Sequence, residues 1–187
     1  MLEVPIDHGD PTGATIAIDI NRSRAQRGEQ RRGVLLVNPG GPGGSGMALA
    51  RSLARGNDAL ADAFDIIGWE PRGVGAATNL ACDQPLIDYY RLDNTPDTAD
   101  ERAALDRAAA EAAAACANDK PSLLDAIGTA AVADDMDAIR TALGEEEISY
   151  LGYSYGTMLG LVYAERHGDH LRAAVLDGIL DPTFTGV

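Results

Sequence analysis

The chain has 187 residues, with 15 Lys and Arg against 29 Asp and Glu, a formal net charge of −14 and a pI near 4.4. That acidity repels phosphate backbones and no basic cluster offsets it beyond QRGEQRR at 26–32, so the composition argues against a nucleic-acid partner. No apolar run approaches the roughly 18 residues that cross a bilayer, and MLEVPIDHGD has neither the basic nor the apolar part of a signal peptide.

Near the start, ATIAIDIN at 14–21 alternates Ile16, Ile18 and Ile20 with small or polar residues, the period of a half-buried strand. With LEVPID before it and the turn residues HGDPTG at 8–13 between, it predicts an antiparallel hairpin. The pattern then changes to short continuous apolar runs: GVLLVN (33–38), FDIIGW (64–69), ISYLG (148–152) and AAVLDG (173–178). Such runs predict strands covered on both faces. Helical patterns lie between them at 45–55, about 100–117, 129–143 and 155–167. Strands alternating with helices imply right-handed crossovers and a parallel sheet, so the fold class is α/β with an antiparallel hairpin at one edge. Residues 84–127 are the least regular stretch, and their helix is carried by alanine propensity more than by an apolar stripe. They are read as an excursion within a single domain spanning 1–187. Cys82 and Cys116 flank this stretch without metal-ligand spacing, leaving either two buried thiols or a bridge that contributes about 3–4 kcal/mol.

Two segments carry chemistry. In YLGYSYGTMLG, residues 150–160, Ser154 sits between Gly152 and Gly156, after an apolar run and before an amphipathic helix. That is the strand–turn–helix setting in which a serine is lifted above a sheet edge as a nucleophile, and its neighbours two residues away must be small. A structural serine in a crowded turn is the plainer reading. The second segment is LLVNPGGPGGSG, residues 35–46, where glycines let backbone approach a substrate. Serine attack on a carbonyl needs two N–H donors for the developing oxyanion, and Tyr155 and Gly41 are the candidates. Gly41, Gly43 and Gly46 also spell a dinucleotide-binding fingerprint, with Glu70 ending the next strand. Against it, Pro42 removes an N–H from the loop, the loop follows a hairpin, and the serine segment is left unexplained. A phosphate-binding P-loop is excluded because no Lys-Ser/Thr follows the glycines.

Taken in order, NPGGPGGSG, GWEPRGVGAAT (68–78), YLGYSYGT and LRAAVLDGILDP (171–182) resemble the α/β-hydrolase serine aminopeptidases. The likeness is to the proline iminopeptidase group, especially its secreted actinobacterial tripeptidyl-aminopeptidase branch. It runs over about residues 2–182 and implies an α/β-hydrolase fold that removes residues or short peptides from free N-termini through an acyl-enzyme on Ser154. It also implies an extracellular setting, a disulfide between Cys82 and Cys116, a peptide or small acyl substrate, and no cofactor or metal. Departures are visible. Asn38-Pro39 stands where many hydrolases have histidine, and the usual Asp-x-Arg-Gly-x-Gly-x-Ser reads Glu70-Pro71-Arg72-Gly73-Val74-Gly75-Ala76-Ala77. Arg72 is then expected to anchor loops.

In this fold the acid and histidine follow the serine along the chain. Only three histidines exist. His8 lies in the hairpin turn, and His167 sits at the far end of the helix, 12 residues past its first residue Tyr155, about 18 Å at 1.5 Å per residue. His170 begins the return to the sheet, so none is expected to reach the serine, and His167 is read as a cation near a helix C-terminus. Asp177, ending the strand after the serine segment, is either the acid or a turn cap. The expectation is a fold truncated before its last strands and lid, with little activity by itself. Other readings remain: an esterase, or a non-catalytic half that self-associates or pairs with a complementary C-terminal chain through an exposed sheet edge.

Overall fold

In the computed structural model, which describes residues 1–78, 80 and 82–181, the segment predicted as one strand at 14–21 is divided between two sheets. β1 (Leu2–Pro5) and β2 (Thr15–Ile18) pair antiparallel as a separate two-stranded sheet, with Leu2 opposite Ile18. β3 (Ile20–Ser23), β4 (Val34–Asn38), β5 (Asp65–Trp69), β6 (Ile148–Tyr153) and β7 (Leu171–Asp177) form a five-stranded sheet in the order β3-β5-β4-β6-β7. Only β3 runs antiparallel to its neighbour, with Ile20 opposite Trp69. The hairpin expected at the edge of the main sheet is therefore a sheet of its own, and its second strand hands the chain over at Asp19. The Asp19 carbonyl accepts the Glu70 N–H at 2.9 Å, committing the following residues to the larger sheet. Ile16, Ile18 and Ile20 all enter one core, so the alternation continues unbroken while the hydrogen-bonding partner changes.

The helices are α1 (Gly46–Gly56), α2 (Asp58–Ala63), α3 (Gly75–Thr78), α4 (Asp83–Tyr90), α5 (Ala99–Asp119), α6 (Pro121–Leu124), α7 (Thr129–Leu143) and α8 (Tyr155–His167). Local chemistry sets their ends. Ser45 caps α1 by accepting the Ala48 N–H, Thr98 and Glu101 form a capping box on α5, and α7 stops at Gly144 with φ 73°. Because β4, β5 and β6 are covered on both faces, their alternate residues enter two cores. Leu36, Ile67 and Tyr150 pack with Met136 and Ile139 of α7 and Leu159 and Tyr163 of α8. Leu35, Val37, Ile66 and Leu151 pack with Ala50 of α1, joined by Leu49, Leu53 and Leu60. Each fully buried Val, Leu, Ile or Met among them contributes about 1.5–3 kcal/mol.

The excursion holds α4, α5 and α6. Cys82, at the N-terminus of α4, is bonded to Cys116 of α5, so the bridged alternative is the one adopted, closing a separation of 34 residues. At the N-terminal ends of the parallel strands, charges meet in pairs. The Asp65 carboxylate, 4% exposed, accepts from Arg22, from Arg31 Nε at 2.8 Å and from the Ala25 N–H at 2.7 Å. Burial raises the Asp65 pKa, but the bonds from Ala25, Arg22 and Arg31 outweigh it and hold the carboxyl below its ordinary range. Arg31 reaches on to Glu145, and Arg172 of β7 to Glu147 and the Arg32 carbonyl. β7 forms one rim of the sheet, with Arg172, Ala173, Ala174 and Val175 exposed in succession. The turn predicted at DGILDP is described through Asp181, and residue 182 and the C-terminus that follows lie outside the described residues.

Candidate active site

β4, β6 and β7 end side by side, with Asn38 opposite Gly152 and Tyr153 opposite Asp177. In an open α/β sheet ligands bind outside these carboxyl ends. Ser154 follows β6 immediately and caps α8, with φ 51° and ψ −122°, the one non-glycine residue with positive φ among those described. Left-handed backbone at a residue with a Cβ costs of order 1–3 kcal/mol and persists only where the surroundings enforce it. Three contacts enforce it here. The Ser154 N–H donates to the Asp177 carbonyl at 2.9 Å, and its carbonyl accepts from the Thr157 N–H at 2.8 Å and from Thr157 Oγ1 at 2.6 Å. Thr157 Oγ1 in turn accepts the Leu180 N–H at 3.0 Å, fastening the segment after β7 to the same turn.

The flanking glycines are required by close approach. A Cβ at Gly152 would lie 2.4 Å from the Gly156 carbonyl oxygen, and one at Gly156 would lie 2.7 Å from that of Asn38. Below the turn, buried Tyr150 donates its hydroxyl to the Gly156 carbonyl at 2.7 Å, and burial pushes its pKa upward. The result is an exposed Ser154 on a rigid support.

The glycine loop comes directly against this turn. A Cβ at Gly40, where φ is 88°, would meet the Tyr153 carbonyl oxygen at 2.4 Å, the Tyr155 nitrogen at 2.8 Å and Ser154 Cβ at 3.0 Å. Buried Asn38 shapes the loop, its Oδ1 accepting the Gly40 N–H at 2.8 Å, while Gly44 N–H closes onto the Gly40 carbonyl at 2.9 Å. Gly41 follows at φ 116°, before a cis bond to Pro42. Among the described residues the N–H groups of Gly41 and Tyr155 have no hydrogen-bond acceptor, and Ser154 Oγ has no hydrogen-bond partner. A cavity of about 230 Å³ adjoins the loop, lined by Gly40, Pro42, Val74, Ile127, Val132 and Tyr155 among others. The phenol of Tyr155 is fixed by Thr129 Oγ1 at 2.7 Å.

The histidines lie elsewhere. His167 Nε2 pairs with Asp134 of α7 at 2.8 Å, and His170 Nδ1 with Asp137 at 2.7 Å, at the opposite end of α8 from Ser154. His8 Nε2 lies 2.8 Å from buried Asp135 and 3.2 Å from Arg72 Nη2. Arg72, fully buried, donates twice to Asp135, at 2.6 and 2.7 Å, and to the carbonyls of Pro5, Ile6 and Ala126. It joins the hairpin, the segment before α7 and α7 itself, the anchoring role expected of it. That His8 joins this network was not legible, because its partner lies 127 residues away. Asp177 is exposed and meets the serine turn through its carbonyl.

A family profile described as the alpha/beta hydrolase fold matches residues 33–186. The chain belongs to that family. Gly41, Gly43 and Gly46 accordingly follow a different logic from a dinucleotide fingerprint: a Cβ at Gly46 would lie 2.4 Å from the Trp69 carbonyl oxygen, so α1 rests directly on β5. Among its relatives, the chain is 35% identical over 186 residues to a tripeptidyl aminopeptidase of Streptomyces lividans, covering 96% of this chain and 35% of that protein. It is 42% identical over 195 residues to carboxylesterase B of Mycobacterium tuberculosis, covering 100% of this chain and 36% of the relative. The chain thus spans about a third of the length of these curated relatives. Proline iminopeptidase of Mycobacterium smegmatis shares the fold, with a TM-score of 0.50 and 21% identity over 92% of this chain and 42% of that one.

Proposed function

We propose that this chain supplies the nucleophile and the oxyanion-binding half of a serine hydrolase that releases residues or short peptides from free N-termini. The observation that supports it most is the exposed Ser154 at φ 51°, against the Gly40 loop and at the start of α8. In this reading Ser154 Oγ attacks the scissile carbonyl carbon while a base takes its proton. The Gly41 and Tyr155 N–H groups, which have no acceptor among the described residues, hold the oxygen as it becomes anionic, each donor worth about 10²–10³ in rate. The positive end of α8 favours the same charge. Collapse expels the amine, which takes the proton back from the base, and water then attacks the ester on Ser154 by the reverse proton path. Each of the three histidines pairs with an aspartate and none bonds to Ser154 Oγ, so this reading assigns neither the base nor the acid among the described residues. Without them the serine keeps an ordinary alkoxide pKa, and the 187 residues by themselves turn over slowly or not at all.

The Cys82–Cys116 disulfide supports an oxidising, extracellular setting, and no described helix is long and apolar enough to cross a membrane. The protein carrying this chain is expected to cleave aminoacyl and tripeptidyl p-nitroanilides, with Ser154→Ala lowering kcat by about 10⁴-fold or more. Retention of activity by that variant refutes the assignment. A second reading, an esterase, is favoured by the 42% identity to carboxylesterase B. Faster turnover of short p-nitrophenyl esters than of every nitroanilide with a free N-terminus selects it. The exposed β7 rim supports pairing with a further strand, from a complementary segment or a second copy, and a dilute monomer by size exclusion counts against association through it.

A further inference from the structure

The end of α8 remote from Ser154 carries a cluster that the hydrolytic reading does not use. Asp134 and Asp137 lie three residues apart on α7, and His167 and His170 lie three apart at the close of α8 and the turn after it. The two pairs face each other, His167 Nε2 to Asp134 Oδ1 at 2.8 Å and His170 Nδ1 to Asp137 Oδ1 at 2.7 Å. The imidazole planes are 10° apart with centroids 6.2 Å apart. One ligand atom from each of Asp137, His167 and His170 lies within 4.8 Å of the others. Ligands around a tetrahedral ion with bonds near 2.0–2.1 Å are spaced roughly 3.4 Å apart, so closure requires movements of about 1 Å. The side chains have that latitude, being 19%, 22% and 39% exposed for Asp137, His167 and His170.

Two arginines bear on the choice of ion. Arg140 donates to both Asp137 oxygens, at 2.7 and 3.0 Å, and Arg166 to both of Asp134, at 2.9 and 2.7 Å. The aspartate charges are thereby balanced, which removes the anionic excess that calcium or magnesium requires. The neutral imidazole donors remain, and these suit a transition-metal dication. Arg140 and the Tyr163 hydroxyl, 3.2 Å from Asp137 Oδ1, then act as outer partners that orient the carboxylate. An access route exists: a cleft of about 890 Å³ is lined by Asp134, Asp137 and His167, together with Asp7, Asp125 and Arg166.

We propose that Asp137, His167 and His170 bind a divalent transition-metal ion, zinc in the first instance, and that the ion clamps the end of α8 to α7. His8, outside the cluster, serves as an internal control in a direct test on the protein carrying this chain, with zinc alone as the probe. On zinc titration the ring nitrogens of His167 and His170 are expected to shift together in ¹⁵N spectra, while those of His8 stay fixed. Calorimetry is expected to show one ion per chain, with His167→Gln and His170→Gln each weakening binding about tenfold or more. No saturable shift up to about 1 mM zinc, or equal shifts at His8, overturns the proposal. So does unchanged affinity in the double variant. Should a variant fail to fold, the wild-type spectra decide alone. Neither readout involves Ser154.

Discussion

The two ends of the same sheet are built on opposite plans. Where the parallel strands begin, Asp65, Arg22, Arg31 and Glu145 are matched donor to acceptor, and Asp65 receives three bonds. Where they finish, Ser154 is held at φ 51°, Gly40 touches the neighbouring backbone, and the amides of Gly41 and Tyr155 have no acceptor among the described residues. One end is satisfied and the other is left wanting. Unmet hydrogen-bonding capacity on a rigid support is what a site needs in order to bind a developing charge without reorganising.

That contrast breaks first at Arg72, which lies just past the finishing end of β5 yet is fully buried and fully bonded. Arg72→Met leaves Asp135 buried with His8 as its remaining side-chain partner and is expected to cost about 3–5 kcal/mol by urea denaturation, the largest effect foreseen. A loss under 1 kcal/mol would mean that the finishing end does not depend on its one saturated anchor. Gly40→Ala places a methyl 2.4 Å from the Tyr153 carbonyl oxygen at a φ that suits glycine. It is expected to cost about 3 kcal/mol in thermal or chemical unfolding.

At the satisfied end, Asp65→Asn is expected to cost about 2 kcal/mol at neutral pH. The sign of the pH effect follows from the lowered pKa of Asp65. Its contribution is complete above the ordinary carboxylate value near 4 and fades as pH falls through its own lower value. The wild type therefore loses stability on acidification through that window more steeply than the Asn variant, and parallel acid limbs would refute the ion-pair account. The smallest effect has the opposite sign. Ser154→Gly relieves the left-handed strain and is expected to raise the unfolding free energy by about 1 kcal/mol while removing the hydroxyl.

Much of this contrast was legible beforehand. The runs at 33–38, 64–69, 148–152 and 173–178 became β4, β5, β6 and β7, and the helices at 129–143 and 155–167 have the bounds expected. Continuous apolarity and strong ends made them readable. Ser154 was singled out by its flanking glycines, since a tight turn restricts which residues surround it, and Gly41 and Tyr155 as the amides that a serine nucleophile there would need. Two classes of feature were not readable. The division at Asp19 escaped because burial periodicity is the same on both sides of it. The His8–Asp135–Arg72 network and the pairing of Asp134 with His167 escaped because long-range polar partners leave no periodic trace.

The bond from Ser154 N–H to the Asp177 carbonyl has a mechanical corollary. The outermost strand itself holds the backbone of the strained residue, so the sheet edge and position 154 are joined by this bond as well as by the β6–β7 ladder, with Thr157 and Leu180 as a further tether.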